Sequence, residues 1–239
     1  MLPNLQSLKK ELRILVNKDK AKILQKFFKT GVGEYAQGDK FLGITVPQQR
    51  LVAKKFLDLS LDDCSKLLKS SYHEERLVAL LIIKQKFNQA NDPEKKKLCR
   101  FYLKHWRYIN NWDLVDLTAY DIVGYCNFHF GEPNLEILSR KKSLWLRRIA
   151  IVSTFYHLRQ GSNSLTFKIA INLLNDRHDL IHKAVGWMLR ESGKRVSVSD
   201  LEKFLWQYID ILPRTALRYA IEHFPEKKRQ KFLNYKTKV

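Results

Sequence analysis

The stretch RRIAIV, residues 147–152, places a basic pair directly before an apolar run with helical spacing. Comparable stretches recur along the chain: RLVAL from Arg76, NWDLVDL from Asn111, KAVGWML from Lys183 and RTALRYA from Arg214. Their starting points lie 35, 36, 36 and 31 residues apart, which is enough for two helices and their turns in each interval. Stacked helix pairs bury apolar surface that no single pair could bury alone. The recurrence therefore predicts a repeating, all-helical fold.

We predict an all-α protein, an α-solenoid of HEAT-like repeats that forms a single domain over residues 1–239 and has a concave basic face. The intervals are somewhat short for standard HEAT repeats. No alternating run is long enough to predict a strand, and the glycine-bearing residues 29–47 read as a long loop. The helical period predicts helices at 4–16, 19–30, 46–57, 60–69, 73–88, 93–107, 111–126, 132–139, 143–159, 163–175, 178–193, 198–208, 213–223 and 226–234.

The composition is that of a soluble globular protein, with 45% hydrophobic and 28% charged residues among 239. The N-terminal segment carries charges where a secretion signal would be apolar, and no run of 18 apolar residues occurs. The cysteines, Cys64, Cys99 and Cys126, are odd in number and widely spaced, which favours reduced core thiols. We therefore expect a cytoplasmic protein.

The charge balance points to an anionic partner. The chain has 44 Lys and Arg residues against 24 Asp and Glu residues, a formal net charge of +20. Such a field favours nucleic acid first and an acidic membrane surface second, whereas a solvated lysine-rich surface is the simpler alternative. A curved helical stack with this charge would suit a rod-shaped partner such as duplex DNA or RNA.

The stretch NNWDLVD, residues 110–116, sets two aspartates in an apolar context, where an unpaired charge is costly. In a helix beginning near 111, Trp112 and Asp116 share one face. Asp113 lies nearer the helix start, where a carboxylate suits the helix dipole. In the structural alternative, Asp113 is a first-turn acid and Asp116 is half of a buried ion pair.

Lys183, Trp187, Arg190 and Lys194 form a second feature, because their spacings of four, three and four residues place them on one helical stripe. The cations could bind phosphates while the indole packs on a sugar or base. In the alternative interpretation, Trp187 belongs to the core and its basic neighbours extend along it to solvent.

Arg147 and Arg148 enter a strongly apolar helix side by side. One can point outward, and the other should lie near the packed face and need a carboxylate or a phosphate. One repeat separates this helix from that of Asp116, so we expect the two helices to be neighbours. His178 and His182 have the spacing of a metal pair, but the further ligands that would complete a site are missing, so no metal is predicted. The sequence has no Walker-type phosphate loop and no G-x-S-x-G element.

Four motifs in order resemble the AlkD family of DNA alkylation-repair glycosylases over nearly the whole chain. They are KFLGITVPQQRLVAK (40–54), NNWDLVDLTAYDIVG (110–124), SLWLRRIAIV (143–152) and HKAVGWMLRESGK (182–194). The resemblance implies a monofunctional enzyme that hydrolyses the N-glycosidic bond of cationic alkylated purines, chiefly 3-methyladenine and 7-methylguanine, in duplex DNA. It implies that the base is not flipped into a pocket, that an abasic site is left and that no cofactor is needed.

Carried over by motif, the resemblance implies that Asp116 is the catalytic carboxylate and that Trp112 and Trp187 are the cleft tryptophans. It implies that Arg148 binds a phosphate and orients the aspartate, although the alignment does not exclude Arg147. A monomer is expected to cradle the DNA through the basic residues Arg147, Lys183, Arg190, Lys194, Arg50, Lys54 and Lys55.

The single carboxylate is chemically consistent with this substrate class. Glycosidases acting on neutral sugars use two carboxyl groups, whereas an alkylated purine already carries the positive charge that lets it leave as a neutral base. The main alternative is a non-catalytic module that holds damaged or branched DNA, in which the basic stripe would matter and Asp116 would not. A third interpretation, a protein-binding scaffold, is disfavoured by the clustering of cations around Trp187.

Overall fold

The computed structural model describes residues 4–235, and within them every regular element is helical. The one β-type contact in this part of the chain is an isolated bridge between Lys40 and Tyr72. The all-α prediction is thereby confirmed. The chain forms two compact units, which meet in the sequence between Thr118 and Ala119. The single domain over residues 1–239 stays a prediction.

Unit 1 is built around one long buried helix. That helix, α5, holds an uninterrupted buried apolar run from Leu77 to Ile83, and α3, α4, α6 and α7 pack against it. Each large apolar side chain buried there contributes about 1.5–3 kcal/mol. The elements are α1 (Leu5–Ile14), α2 (Lys18–Phe27), α3 (Val46–Lys55), α4 (Leu61–Leu68), α5 (His73–Gln89), α6 (Asp92–Lys104), a 3₁₀ turn (Trp106–Tyr108) and α7 (Trp112–Asp116).

The segment between α2 and α3 is the predicted long loop, and a buried carboxylate of α5 holds its last part. Glu74 accepts backbone N–H groups from Leu42 (2.9 Å), Gly43 (2.8 Å) and Ile44 (3.2 Å). Gly43 has a φ of +81°, and a Cβ there would lie 2.0 Å from the carbonyl oxygen of Asn17, so the position requires glycine. These contacts tie the loop to the start of α5.

Unit 2 is a ladder of stacked helices. α10 packs between a π-helical segment and α12, and α12 packs against α14, while α9, α11 and α13 lie against these same helices. This alternation is the helical repeat that the sequence predicts. The elements are the π-helical segment (Tyr120–Gly124), α8 (Tyr125–Phe130), α9 (Leu135–Ser139), α10 (Leu144–Arg159), α11 (Ser164–Asn172), α12 (Asp179–Arg195), α13 (Val198–Gln207), α14 (Arg214–Ala220) and α15 (Glu226–Leu233).

Glycines let neighbouring helices of this ladder touch. A Cβ on Gly124 would lie 2.3 Å from the carbonyl oxygen of Ser153, and one on Gly186 would lie 2.5 Å from that of Ala216. Any larger residue would force the backbones apart. Gly186 lies within one of the recurring motifs, KAVGWML, and Gly124 ends the motif NNWDLVDLTAYDIVG.

Several predicted helices end about three residues later than the observed ones, and two predictions differ in other ways. The single helix over 111–126 is wrong, because α7 ends at Asp116 and the chain resumes as a π-helical segment. A π-turn accommodates one extra residue, here where Gly124 meets the backbone of α10. The helix predicted from 132 begins later, at Leu135, because the side chain of Asn134 caps it by accepting the N–H of Ile137 (3.0 Å).

Candidate functional site

α7 begins on a buried asparagine cap. Asn111 is completely buried, and its side-chain oxygen accepts the backbone N–H of Trp112 at 2.8 Å. The helix has five residues, so Trp112 and Asp116 lie one turn apart on the same face, as predicted. Both side chains are half-buried, so that each is held by the protein while part of it is open to solvent.

Aromatic residues from the N-terminal part of unit 1 hold Trp112. Phe28 stacks on the indole, with ring centroids 5.1 Å apart and an interplanar angle of 27°. Phe27 meets the indole edge-on at 5.8 Å, and the indole N–H donates to the hydroxyl of Tyr35 at 3.2 Å. The indole is therefore fixed by stacking and by a hydrogen bond.

A buried hydrogen-bonded pair in the core of unit 1 lies close enough to Asp116 to feel its charge. The Tyr102 hydroxyl lies 3.0 Å from that of Thr118, which donates to the carbonyl oxygen of Leu114 at 2.6 Å. Burial raises the pKa of Tyr102, and the nearby negative charge of Asp116 raises it further. Tyr102 thus stays a neutral hydroxyl.

Asp113 lies in the first turn of α7, as predicted, and its carboxylate also pairs with a buried histidine, which was not predicted. It is buried, accepts the N–H of Leu114 at 2.9 Å, and pairs through Oδ2 with Nε2 of His73 at 2.8 Å. The two aspartates of NNWDLVD therefore differ in kind. Asp113 is sequestered, whereas Asp116 is partly open to solvent.

In unit 2 the two adjacent arginines make different contacts. Arg147 pairs with Asp176, its Nε lying 2.5 Å from Oδ2, and also donates to the carbonyl oxygens of Lys141 and Lys142. Arg148 is buried and donates to the carbonyl oxygen of Leu180. Arg148 is thus the arginine at the packed face, and Arg147 caps the turn before α10.

The stripe of Lys183, Trp187, Arg190 and Lys194 lies on α12, as predicted. Trp187 is half-buried, and its ring lies 6.2 Å from that of Phe155. Carboxylates, however, partner two of the three cations. Lys183 pairs with Asp179 at 2.7 Å, and Arg190 pairs with Glu222 and Glu191. Lys194 is exposed.

The basic residues of α3 are exposed. Arg50 and Lys54 are one turn apart and point to solvent, and Lys55 pairs with Glu11. The histidines considered as a metal pair serve the start of α12 instead, since His178 accepts the N–H of Leu180 and His182 contacts the carbonyl oxygen of Asp176. The described residues contain no group of three or more His, Cys, Asp or Glu side chains suited to a metal.

Sequence reasoning missed the residues that surround Trp112. Phe27 and Phe28 form an aromatic pair at the end of α2, and Tyr35 is the one tyrosine of the glycine-bearing loop. Those features were visible as an unexplained aromatic pair and an isolated tyrosine. Nothing in the local pattern indicated that they meet a tryptophan some 80 residues later.

Comparison with known proteins identifies the family of the chain. Residues 8–224 match the sequence profile of the DNA alkylation repair enzyme family. The chain belongs to that family. A member of the DNA alkylation repair family is thus expected to act on DNA, which agrees with the charge of +20. No curated protein matches the sequence.

A solved structure described as a predicted DNA alkylation repair enzyme from Enterococcus faecalis is similar in fold. Its TM-score is 0.69 at 18% sequence identity, covering 88% of this chain and 97% of that one. At this identity the similarity concerns the fold. Among the described residues, no helix is long and apolar enough to cross a membrane.

Proposed function

We propose that this chain is a monofunctional DNA glycosylase that releases cationic alkylated purines, 3-methyladenine and 7-methylguanine, from duplex DNA. The base is not flipped into a pocket, and an abasic site remains. The observation that carries the proposal is the partly open carboxylate of Asp116, on the same face of α7 as an indole held by Phe28 and Tyr35. Membership of a DNA alkylation repair family supports it.

The chemistry needs one anion. The bond between C1′ and the purine nitrogen breaks with its electron pair going to the base, which leaves neutral because the alkyl group had made it cationic. The sugar becomes an oxocarbenium-like cation, and water then forms the new C1′–O bond and loses a proton to solvent. Asp116 stabilises the cation and orients the water. No general acid is required for the leaving group.

The size of this effect can be estimated. A carboxylate 4 Å from a full positive charge contributes about 4 kcal/mol at an effective dielectric constant of about 20. That corresponds to a rate factor of about 1000. We expect Asp116→Asn to lower the excision rate by roughly 100- to 1000-fold, because the charge on the sugar is only partly developed.

The other residues bind the substrate. Trp112 and Trp187 contact the backbone of the lesioned nucleotide, and Arg148 binds a phosphate. Arg147, Lys183, Arg190 and Lys194 of unit 2 and Arg50, Lys54 and Lys55 of unit 1 contact further phosphates, so that binding weakens with salt. The enzyme acts as a cytoplasmic monomer and needs neither metal nor cofactor.

Base release tests the proposal. Purified protein is incubated with methylated duplex DNA in EDTA, and free 3-methyladenine and 7-methylguanine are quantified. Asp63→Asn is the matched control, because Asp63 is another half-buried aspartate of unit 1, paired with Lys66 on α4. Release that persists in Asp63→Asn and is slower by at least about 100-fold in Asp116→Asn supports the proposal. Salt-sensitive DNA binding without any release would support the non-catalytic module instead.

A further inference from the structure

His73, the first residue of α5, joins three parts of unit 1. Its Nε2 lies 2.8 Å from Oδ2 of Asp113 on α7, and its Nδ1 lies 3.8 Å from Oδ2 of Asp39 in the loop before α3. Asp39 also accepts hydrogen bonds from Arg76 and from the side chain of Asn110 (3.3 Å), the residue just before the α7 cap. His73, Asp39, Arg76 and Asp113 are all buried.

The buried cluster balances its charges only if His73 is protonated. Burial by itself would lower the pKa of His73, but the charge and hydrogen bond of Asp113, together with Asp39, raise it to about 9. For Asp39, burial by itself would raise the pKa, but the contacts with His73 and Arg76 outweigh burial and lower the pKa below its usual value. At neutral pH two cations therefore face two carboxylates, which is the condition for burying them together.

The imidazole also contacts the aromatic residues that hold Trp112. The His73 ring stacks on Phe41 at 4.7 Å and on Phe28 at 5.1 Å, and Phe28 stacks in turn on Trp112 at 5.1 Å. His73 thus reaches α7 twice, through the carboxylate of Asp113 and through Phe28. A five-residue helix has no second full turn to absorb a rotation, so a shift at its start is carried to Asp116.

We infer that His73 is a positioning residue for the proposed reaction: held between Asp113 and Asp39, it fixes the start of α7 and the ring of Trp112, and thereby the direction in which Asp116 presents its carboxylate. The effect on turnover rests on the proposed function. The positioning of Trp112 does not, and it can be measured without any substrate.

The first experiment is ¹⁹F NMR of protein labelled with 5-fluorotryptophan. The chain has five tryptophans, and Trp112→Phe assigns the resonance of Trp112 by its loss. His73→Gln keeps a hydrogen-bonding group but removes the charge and the aromatic ring, and it should shift or broaden that resonance. Asp113→Asn removes the opposing charge with little change in size and should perturb the same resonance.

His105→Gln is the matched control. His105 is a second buried histidine of unit 1, with one ring nitrogen 2.8 Å from the Ser65 hydroxyl and the other 2.8 Å from the carbonyl oxygen of Phe101. It has no carboxylate partner among these contacts. Its replacement should leave the Trp112 resonance in place. An unchanged Trp112 resonance in both His73→Gln and Asp113→Asn overturns the inference, whatever the activity.

The second experiment is single-turnover excision at saturating DNA. His73→Gln should lower the rate constant by roughly 10- to 100-fold, the usual effect of a misplaced catalytic group, and change the DNA dissociation constant by less than about twofold. The wild-type rate should fall as the pH rises through about 9, and His73→Gln should lack that dependence. The charged groups facing His73 are Asp39, Asp113 and Arg76.

The two experiments separate the two claims. Wild-type protein that releases no base refutes the proposed function but leaves the NMR result standing. A perturbed Trp112 resonance with an unchanged excision rate and pH profile shows that the position of the indole does not control catalysis, and so overturns the link to turnover.

Discussion

Replacing Glu74 of α5 with glutamine should destabilise unit 1, because its carboxylate holds the backbone of the loop before α3. The carboxylate is buried and accepts three backbone N–H groups, with Oε2 facing Leu42 and Oε1 facing Gly43 and Ile44. In Glu74→Gln, one of these oxygens becomes an NH₂ group. If the remaining oxygen keeps Gly43 and Ile44, the amide nitrogen confronts the N–H of Leu42, donor against donor.

The cost follows from these contacts. A buried donor left without a partner costs about 1–3 kcal/mol, and each of the two surviving hydrogen bonds loses about 1 kcal/mol when its acceptor becomes neutral. We therefore expect the free energy of unfolding to fall by about 3–5 kcal/mol, a large share of the ~5–15 kcal/mol typical of a folded protein. Amide exchange at residues 42–44 should accelerate by at least about 100-fold.

Urea unfolding and native-state hydrogen exchange measure both effects. Glu34→Gln is the matched control, because Glu34 accepts the N–H of Gly31 at 2.7 Å in the same loop but is exposed. Glu34→Gln should lower the free energy of unfolding by less than about 0.5 kcal/mol. If the two variants unfold within about 1 kcal/mol of each other, the reasoning that burial makes these hydrogen bonds valuable is refuted.

The difference in unfolding free energy between wild type and His73→Gln should depend on pH, because the pKa of His73 is raised from 6.5 to about 9 in the folded state. Protonated His73 contributes on the order of 3 kcal/mol to the free energy of unfolding below about pH 6.5, and this contribution is lost as the pH rises through about 9. A difference between the two proteins that does not change with pH would contradict the prediction. Gly186→Ala should lower the free energy of unfolding by about 1–3 kcal/mol or more, because its Cβ would lie 2.5 Å from the carbonyl oxygen of Ala216. If Gly186→Ala unfolds at the same thermal midpoint as the wild type, α12 and α14 can move apart without loss of stability. Arg50→Ala combined with Lys54→Ala should reduce the slope of log affinity for DNA against log salt by about 2, and an unchanged slope would remove α3 from the DNA-binding surface.

The repeat could be predicted from sequence because its signal is local. α5, α10 and α12 are segments of 16 or 17 residues rich in apolar helix-forming residues, and the predicted bounds lie within about two residues of those observed. The break after Asp116 could not be predicted in this way. The π-helical segment that follows the break meets α10 where Gly124 lies against Ser153, a contact made by residues 29 positions apart.

The candidate site was predictable in its residue types and not in its surroundings. Trp112 and Asp116 lie on one face because their spacing requires it. The cluster of His73, Asp39 and Arg76 behind Asp113 joins segments separated by 37 to 40 residues, and no periodicity reports such a contact. The same limit applies on α12, where the pairing of Arg190 with Glu222 joins residues 32 apart.

The helix that carries Phe27, one of the residues that contact Trp112, is the least buried of unit 1 in one respect. None of the residues of α2, Lys18–Phe27, is buried, and Phe28 directly after it is the first that is. Local opening is cheapest where little apolar surface must be re-exposed. α2 should therefore be a low-stability cooperative unit that opens and closes on its own while α5 and the core stay folded. Each opening would release the indole of Trp112 from Phe27, so the fraction of molecules with a fully assembled site would be set by the equilibrium between open and closed α2.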